Sequence, residues 1–553
     1  MTTTASAVPT GGDQSTGLVG SRRDWVWAAA PVLVLALAAI AWIYEGRGVT
    51  FFIDEWQWII GRSSPNEASL LEPFNNHWMS VPIGIHQAFY RLFGIDSHLP
   101  YRLLMLAVHL TTAWLAFTYL RSRISKPLAL AGCAVFAFYG YALTITLWPI
   151  SLGWAIATAV AVAAFLLVDR ETRRADIATS AMLVVGVAST SVAVAFAVGI
   201  AAELAMRRAW RRLWIVIVPI VIYGAWFVAY GSGTSDSDSV GAILKFVEAL
   251  LARTVATLVG VAPGVVDGGL EQVSTAAHVA LAAALVGFVV LWVALGRPVT
   301  ARLVGLVVSL GAYSGALAIA RASTSQGSYG VTTWYSYPAA VLLILVLGEM
   351  LRGRIVTTRW TAVIVVVALW AIVWNLGEMR DGGDQLRRIS RLEQAQLLAL
   401  DLSVDRVPPS FAPPDSFLKD LTAGPYFNVE REYGTPAFTV AELRNAPRDA
   451  RRAADETIIR AMGIESASAG FEVPTPSCTF GAVQRVTSAV VLVEGGVVKI
   501  GVFDRAGMAI EGPGGLVTRI DLPPIGDPDV RWIIRAQGNA RVCTLPGSAG
   551  GLT

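Results

Sequence analysis

Apolar runs of about 20 residues, the length a helix needs to cross hydrocarbon, recur down this chain as far as residue 376. Short arginine-rich segments separate them. The candidate spans are 25–44, 100–120, 127–147, 149–168, 213–230, 276–296, 301–320, 337–351 and 360–376. Between 176 and 205 a further apolar stretch is interrupted by Ser189-Thr190-Ser191 and flanked by arginines. It reads as a hairpin of two short or re-entrant helices, an element tolerated only inside protein or along a cavity. The pattern therefore predicts an all-α polytopic membrane domain of about eleven helices. Composition agrees: only 15% of residues are charged, against about 25% in ordinary soluble domains.

Orientation follows from the basic loops, which stay cytoplasmic when short. Arg22-Arg23, Arg121/Arg123/Lys126, Arg170/Arg173/Arg174, Arg207/Arg208/Arg211/Arg212, Arg297/Arg302 and Arg352/Arg354/Arg359 all fall on one side of the predicted path. The expectation is a multi-pass protein of the plasma membrane with a cytoplasmic N-terminus. Residues 1–24 then form a cytoplasmic segment, disordered over its Thr/Ser/Gly-rich first 20 residues. Residues 25–376 form the transmembrane domain. The loop 45–99, the segments 231–275 and 321–336, and everything after 377 face outward.

The tail 377–553 differs in kind. Residues 385–403 and 436–463 look helical and 407–425 is a Pro-rich loop. From about 471, Val/Ile-rich runs alternate with Gly and Pro, which predicts β structure. The expectation is an exoplasmic α+β domain, β-rich near its end. Cys478 and Cys543 both fall there, and an oxidising compartment permits a disulfide between them. Cys133 lies in an apolar run and reads as inert packing.

Residues with chemical potential concentrate in the first outer loop. Asp54 and Glu55 follow the first helix among Phe51, Phe52, Trp56 and Trp58. A carboxylate partly removed from water there can act as a general base or bind a divalent cation through oxygen. It can equally be a solvated helix end beside an aromatic belt. Asn75-Asn76-His77-Trp78 offers amides and an imidazole for sugar hydroxyls and a flat ring for a sugar face; the alternative is a turn with an interfacial Trp. Arg321 ends a helix on the outer side, against the charge trend, next to a loop holding Tyr329, Trp334, Tyr335 and Tyr337. Its guanidinium suits a phosphate, or snorkels to headgroups. Arg102 and His109 lie near the outer start of the second helix, where ionisable groups are functional candidates or structural partners. An amphipathic stretch, 240–262, could lie flat on the outer leaflet.

No phosphate-binding G-x-x-x-x-G-K-[ST] loop occurs, which argues against an ATP-driven pump. No G-x-S-x-G, H-E-x-x-H or paired C-x-x-C occurs, and no basic patch with nucleic-acid character.

The order of these features resembles the GT-C class of integral-membrane glycosyltransferases: a first helix, an outer loop with an acidic pair, a second helix opening PYR, and a short hairpin before RRAWRR. The segments LWPISLGW…LLVDR, STSVAVAFAVGIAAELAMRR and LWIVIVPIVIYGAWFVAYG resemble an actinobacterial branch of that class. The likeness covers about 25–376. It implies a polyprenyl-phosphate sugar as donor and a cell-envelope glycan, glycolipid or protein as acceptor on the outer face. It implies Asp54 as the base, with Glu55 its neighbour or a ligand to Mg, Mn or Ca. It implies Arg321, and with it Arg102, for the donor phosphate, and Asn76, His77, Trp78 and Tyr335 for the sugar or acceptor. A second acidic motif is expected in a later outer loop, but only Asp236, Asp238 and Asp267 occur there, in no clear pattern. By analogy, the tail would be a carbohydrate-binding module. Two other readings stand beside this one. One is a lipid or glycan transporter or flippase, for which paired broken helices are expected. The other is a non-catalytic envelope-assembly protein with a glycan-binding outer domain.

Overall fold

The computed structural model describes residues 22–231, 239–262, 266–267, 270–271, 273–296, 299–322, 333–414, 418, 421–464 and, in the C-terminal domain, 467–468, 478–480, 483–494, 497–504, 507–511, 517–537 and 540–543. Residues 1–20, Asp236, Asp238, Arg297 and Tyr329 lie outside the described residues.

The molecule is mainly helical, with a small C-terminal sheet region. The helices of the first part are α1 (Arg22–Glu45), α2 (Asp54–Gly61), α3 (Glu67–Leu71), α4 (Ser80–Phe93), α5 (Leu99–Arg121), α6 (Lys126–Ala137), α7 (Leu143–Leu147), α8 (Leu152–Val168), α9 (Arg173–Val187), α10 (Ala193–Met206), α11 (Trp214–Tyr230), α12 (Val240–Leu258), α13 (Thr275–Leu295), α14 (Ala301–Arg321) and α15 (Ser336–Met350). Helix α16 (Thr358–Asp401) enters the tail, followed by α17 (Ala423–Tyr433), α18 (Val440–Asn445) and α19 (Arg448–Ala461). Eight segments are long and apolar enough to cross a membrane: Trp25–Glu45, Leu99–Arg121, Lys126–Leu147, Pro149–Val168, Trp210–Tyr230, Thr275–Val293, Ala301–Arg321 and Thr358–Asp401. This makes it a multi-pass membrane protein. The other three expected spans are the shorter helices α9, α10 and α15.

The third span is broken. Helix α6 unwinds after Ala137, which leaves its carbonyl without a helical partner. Trp42 Nε1 and His109 Nε2 both reach that oxygen, at 3.0 Å each. His109 also meets the Tyr337 hydroxyl at 3.1 Å. Its role is to hold a broken backbone in an apolar setting, as such breaks require.

Five of the six basic segments meet at one end of the bundle. Asp169 accepts from Arg123 at 2.6 Å, Arg302 at 2.7 Å and Arg207 at 3.0 Å. Arg302 also reaches Glu203 at 2.8 Å, Arg123 reaches Glu349 at 2.8 Å, and Arg352 reaches Glu349 at 3.2 Å. Carboxylates from neighbouring helices thus gather the arginines onto one face, as the charge pattern predicts.

The interrupted stretch is the expected hairpin. Helices α9 and α10 run from the arginine-rich end to a tip at Ser189–Ser191 and back. Helix α10 packs tightly on α14: a Cβ at Gly305 would lie 2.9 Å from the Gly199 carbonyl, and one at Gly199 would overlap Ser309. Small residues permit this close approach, and it brings Glu203 to Arg302.

The expected boundary at 376/377 falls inside one helix. Helix α16 has 44 residues, about 66 Å at 1.5 Å per residue. Its first half carries exposed Trp360, Val366, Leu369, Trp370 and Val373; its last turns are buried at Leu397, Leu398 and Leu400. The charged stretch between them stays helical because it packs against other elements: Gly382 on Leu143 and Gly383 on the end of α1. One rigid rod therefore joins the bundle to the tail.

Strands in the tail form two antiparallel sheets. One has five strands, in the order Ala467–Ser468, Val517–Leu522, Ala489–Glu494, Ala540–Cys543, Cys478–Phe480. The other has four, in the order Val483–Val486, Trp532–Gln537, Val497–Gly501, Met508–Glu511. Alternate residues of each enter one core: Val491, Val493, Ile520 and Leu522 from the first, Val498, Ile500, Trp532 and Ile534 from the second, with Ile458 and Ile459 of α19. This is the period-2 burial of packed sheets.

Candidate functional site

The loop 45–99 lies at the end of the bundle opposite the arginine network, between the bundle and the tail. Phe51, Trp56, Ile59, Tyr90, Ile95 and Tyr101 share a core with Leu397, Leu400, Leu421, Tyr426 and Tyr433 of the tail. Ile95 N donates to Tyr433 O at 2.8 Å, and Thr50 N to Ser390 Oγ at 2.9 Å. The tail thus acts as a clamp on this loop.

Asp54 opens α2. The residue before it, Ile53, has φ 51° and ψ −118°. A β-branched residue there is strained, at a cost of about 1–3 kcal/mol. The loop holds it on both sides: Phe52 stacks on Trp148 at 5.2 Å, and Trp56 Nε1 donates to Phe51 O at 3.2 Å. The result is that Asp54 and Glu55 face differently. Glu55 is only 2% exposed. Its Oε2 accepts from Phe52 N at 3.2 Å, and its Oε1 lies 3.1 Å from His98 Nε2. Burial pushes the Glu55 carboxyl well above the usual range, against the Phe52 bond. Glu55 fixes the loop. Asp54 is partly exposed.

Asn75 and Asn76 form the turn of a two-residue hairpin. Both have positive φ, 49° and 65°. Phe74 and His77 exchange both backbone bonds, at 3.0 and 2.9 Å. This is the mirror-image turn that Asn favours. The turn points at Asp54: Asn75 Nδ2 donates to Asp54 Oδ2 at 3.5 Å. From the other side, Arg321 Nη2 donates to the Asn75 carbonyl at 3.2 Å. One residue therefore separates the carboxylate from the guanidinium, although 267 positions divide Asp54 from Arg321 in sequence (321 − 54).

His77 faces the hairpin tip of α9–α10, where its Nδ1 shares a short hydrogen bond with Ser191 Oγ. Its ring meets the edge of Trp154 at 5.7 Å, and Trp154 packs on Tyr335 at 5.4 Å. Enclosure first, and the charge of Arg321 second, pull its pKa down to about 4. His77 is thus a neutral imidazole beside a cation.

Three more expected site residues make packing and backbone contacts. Trp78 stacks on Trp226 at 5.4 Å and donates to Ser80 Oγ at 2.5 Å, which anchors the loop to α11. Tyr335 is 2% exposed and backs the site through Trp154, its carbonyl accepting from Tyr313 at 2.6 Å. Arg102 donates to the Gly46 carbonyl at the end of α1 and lines a small gap with Trp42, Leu106 and Leu147. The amphipathic helix α12 is not simply laid on lipid: Phe246 packs on Tyr335, and Thr257 Oγ1 meets the Tyr139 hydroxyl at 2.7 Å.

Ser191 and Trp154 join this cluster without having been singled out by the sequence as site residues, and Asn75 links it to Asp54 and Arg321. The NN pair was legible as a turn, and Ser191 as a break in an apolar run; their meeting was not. Glu55 turns inward, to Phe52 N and His98 Nε2. No three His, Cys, Asp or Glu converge among the described residues. Comparison with known families, curated proteins and solved structures gives no match.

Proposed function

We propose that this protein is a membrane glycosyltransferase that uses a polyprenyl-phosphate sugar. One observation carries the reading: Asn75 holds Asp54 on one side and Arg321 on the other. The reaction needs a base for the acceptor and a cation for the departing phosphate, close together. Asp54 takes the proton from an acceptor hydroxyl. The freed oxygen attacks the anomeric carbon and inverts it. The carbon–oxygen bond to the phosphate breaks, its electron pair leaves with the polyprenyl phosphate, and Arg321 stabilises that charge. Neutral His77 and the exposed amide of Asn76 offer hydrogen bonds to sugar hydroxyls.

In this reading the arginine network faces the cytoplasm of a plasma-membrane protein. The Asp54 end faces outward, where lipid-linked donors replace nucleotide sugars and cell-envelope glycans or glycolipids serve as acceptors. The test is transfer from radiolabelled polyprenyl-phosphate sugars by purified protein. Asp54→Asn should lower turnover by about 10²–10⁴-fold without altering the elution profile. Transfer by Asp54→Asn as fast as wild type would sink the assignment.

A further inference from the structure

Helix α4 lies across the end of the bundle that carries Asp54. Its first turn rests on the α9–α10 hairpin and on α8: Val81 N donates to Ala188 O at 3.1 Å, and a Cβ at Gly153 would lie 3.3 Å from Met79 Cε. Its last turn rests on the start of α5. The Tyr101 hydroxyl donates to Gly94 O at 2.7 Å, and the Phe89 ring meets Tyr101 at 5.5 Å and Phe93 at 5.1 Å. The opposite ends of α5 and α8 meet in the arginine network, where Arg123 pairs with Asp169. The 14 residues of α4, about 20 Å long, therefore bridge helix tips on one side of the membrane.

The inner face of α4 is locked in place. Ile83, His86, Gln87 and Tyr90 are buried. His86 meets the Trp58 ring of α2 at 5.0 Å, and Gln87 Nε2 donates to Arg62 O, just past α2, at 2.8 Å. Helix α4 thus carries α2, which Asp54 opens.

The last turn breaks this pattern, with Leu92 72% and Phe93 50% exposed. A single exposed apolar side chain is ordinary. These two are adjacent, and they stand level with the edge of the hydrocarbon. Helix α5 runs 22 steps from Leu99 to Arg121 (121 − 99), about 33 Å, just over the hydrocarbon thickness of about 30 Å. With Arg121 among headgroups on one side, Leu99 stands at the hydrocarbon edge on the other. Leu99 and Leu103 are exposed there, and exposed Ile43 of α1 lines one gap with them, so two spans reach the same level. Tyr101, in the first turn of α5, ties the end of α4 to that level. Arg91 is exposed beside the pair, with a stem long enough to keep its charge among headgroups.

We propose that Leu92 and Phe93 insert into the leaflet on the Asp54 side, at the boundary of headgroups and acyl chains. The occupant of this surface is lipid because the pair continues the exposed apolar flank of α5 and α1. Interfacial helices seat apolar side chains about 5–10 Å into that boundary. Through Trp58 and Arg62, the insertion holds Asp54 at a set height over the bilayer.

The photo-reactive residue benzoylphenylalanine would replace Phe93, Leu92, Leu103 or Val404, one position at a time, in the full chain in phosphatidylcholine vesicles. Leu103 is the lipid-facing control, and Val404, exposed in the tail, the aqueous one. After illumination, adducts would be read by mass spectrometry. Positions 92 and 93 should give lipid adducts like position 103, at least about tenfold above position 404, since a ring seated in the boundary meets acyl chains continuously. Yields at both positions no higher than at 404 would overturn the proposal. So would a crosslink from position 93 to a second copy of the chain, which would mark a protein interface instead. Asp54→Asn should leave the adducts unchanged, so this outcome is independent of the glycosyltransferase reading.

Discussion

His98 Nε2 lies 3.1 Å from Glu55 Oε1, and both side chains are sealed from solvent. Burial pushes the carboxyl up and the imidazole down, with Arg102 adding to the second shift. The two shifts share one cause, the exclusion of water from both side chains. This pair joins the start of α2 to the start of α5, and so sets where Asp54 emerges. Glu55→Ala should destabilise the protein by about 1–3 kcal/mol, because it leaves the buried His98 Nε2 without its hydrogen-bond partner. Glu55→Gln keeps a hydrogen bond and should cost less. Thermal unfolding in detergent checks both, and an unchanged midpoint in Glu55→Ala would remove Glu55 from this role.

Asn75 couples backbone and side chain, and two variants separate them. Asn75→Gly keeps the positive φ and loses the amide on Asp54. It should fold normally and lower turnover about tenfold. Asn75→Val places a branched side chain in the left-handed region, at a cost of about 1–2 kcal/mol, and should lower both stability and activity. Equal activity in Asn75→Gly and wild type would show that the amide does not position Asp54.

His77 makes stability depend on pH with a defined sign. Its pKa falls from 6.5 to about 4 on folding. The unfolded chain therefore takes up a proton first, and the His77 contribution is present above pH 6.5 and lost as pH falls towards 4. The melting temperature of wild type should drop through that window more steeply than that of His77→Gln. Parallel curves would contradict the neutral, enclosed imidazole.

Gly199→Leu should break the contact between α10 and α14. The added side chain meets the Gly305 backbone and Ser309, so Glu203 and Arg302 separate. Loss of one partner of a buried ion pair costs about 3–5 kcal/mol, and the variant should aggregate on extraction. Gly224→Leu, with open space at its Cβ, is the matched control and should behave as wild type.

The strand register sets Cys478 directly opposite Cys543 on adjacent antiparallel strands. Neighbouring antiparallel strands keep opposed backbone positions close enough that a bridge between two such cysteines is a fair expectation. Protein made in an oxidising compartment should show two fewer alkylatable thiols than reduced protein, with Cys133 unchanged. Reduction should cost about 2–4 kcal/mol of tail stability. Full alkylation of the unreduced protein would exclude the bond.

Much of this architecture was legible residue by residue. Apolar length placed α1, α5, α8, α11, α13 and α14, because hydrocarbon thickness imposes one number on each span. Ser189–Ser191 marked the hairpin, because polar side chains interrupt an apolar run only for a reason. Arginine placement foretold that five basic segments would gather at one end. The continuity of α16 was not legible. Glycines and charges at 377–384 look like a linker, and only contacts with Leu143 and the end of α1 keep them helical.

The candidate site divides the same way. Sequence alone put a carboxylate pair just after the first helix, an Asn-Asn-His-Trp cluster 20 residues on, and an arginine at the end of a distant span. Each pointed to chemistry taken singly, because residue type and position relative to an apolar run are local facts. Which carboxylate faces inward is not local. The strained turn at Ile53 gives Glu55 to His98 and leaves Asp54 at the surface. Nor could sequence bring Arg321 to Asn75 or stack Trp78 on Trp226. Those contacts join segments up to 246 positions apart, and only the packing of helices distant in the chain decides them.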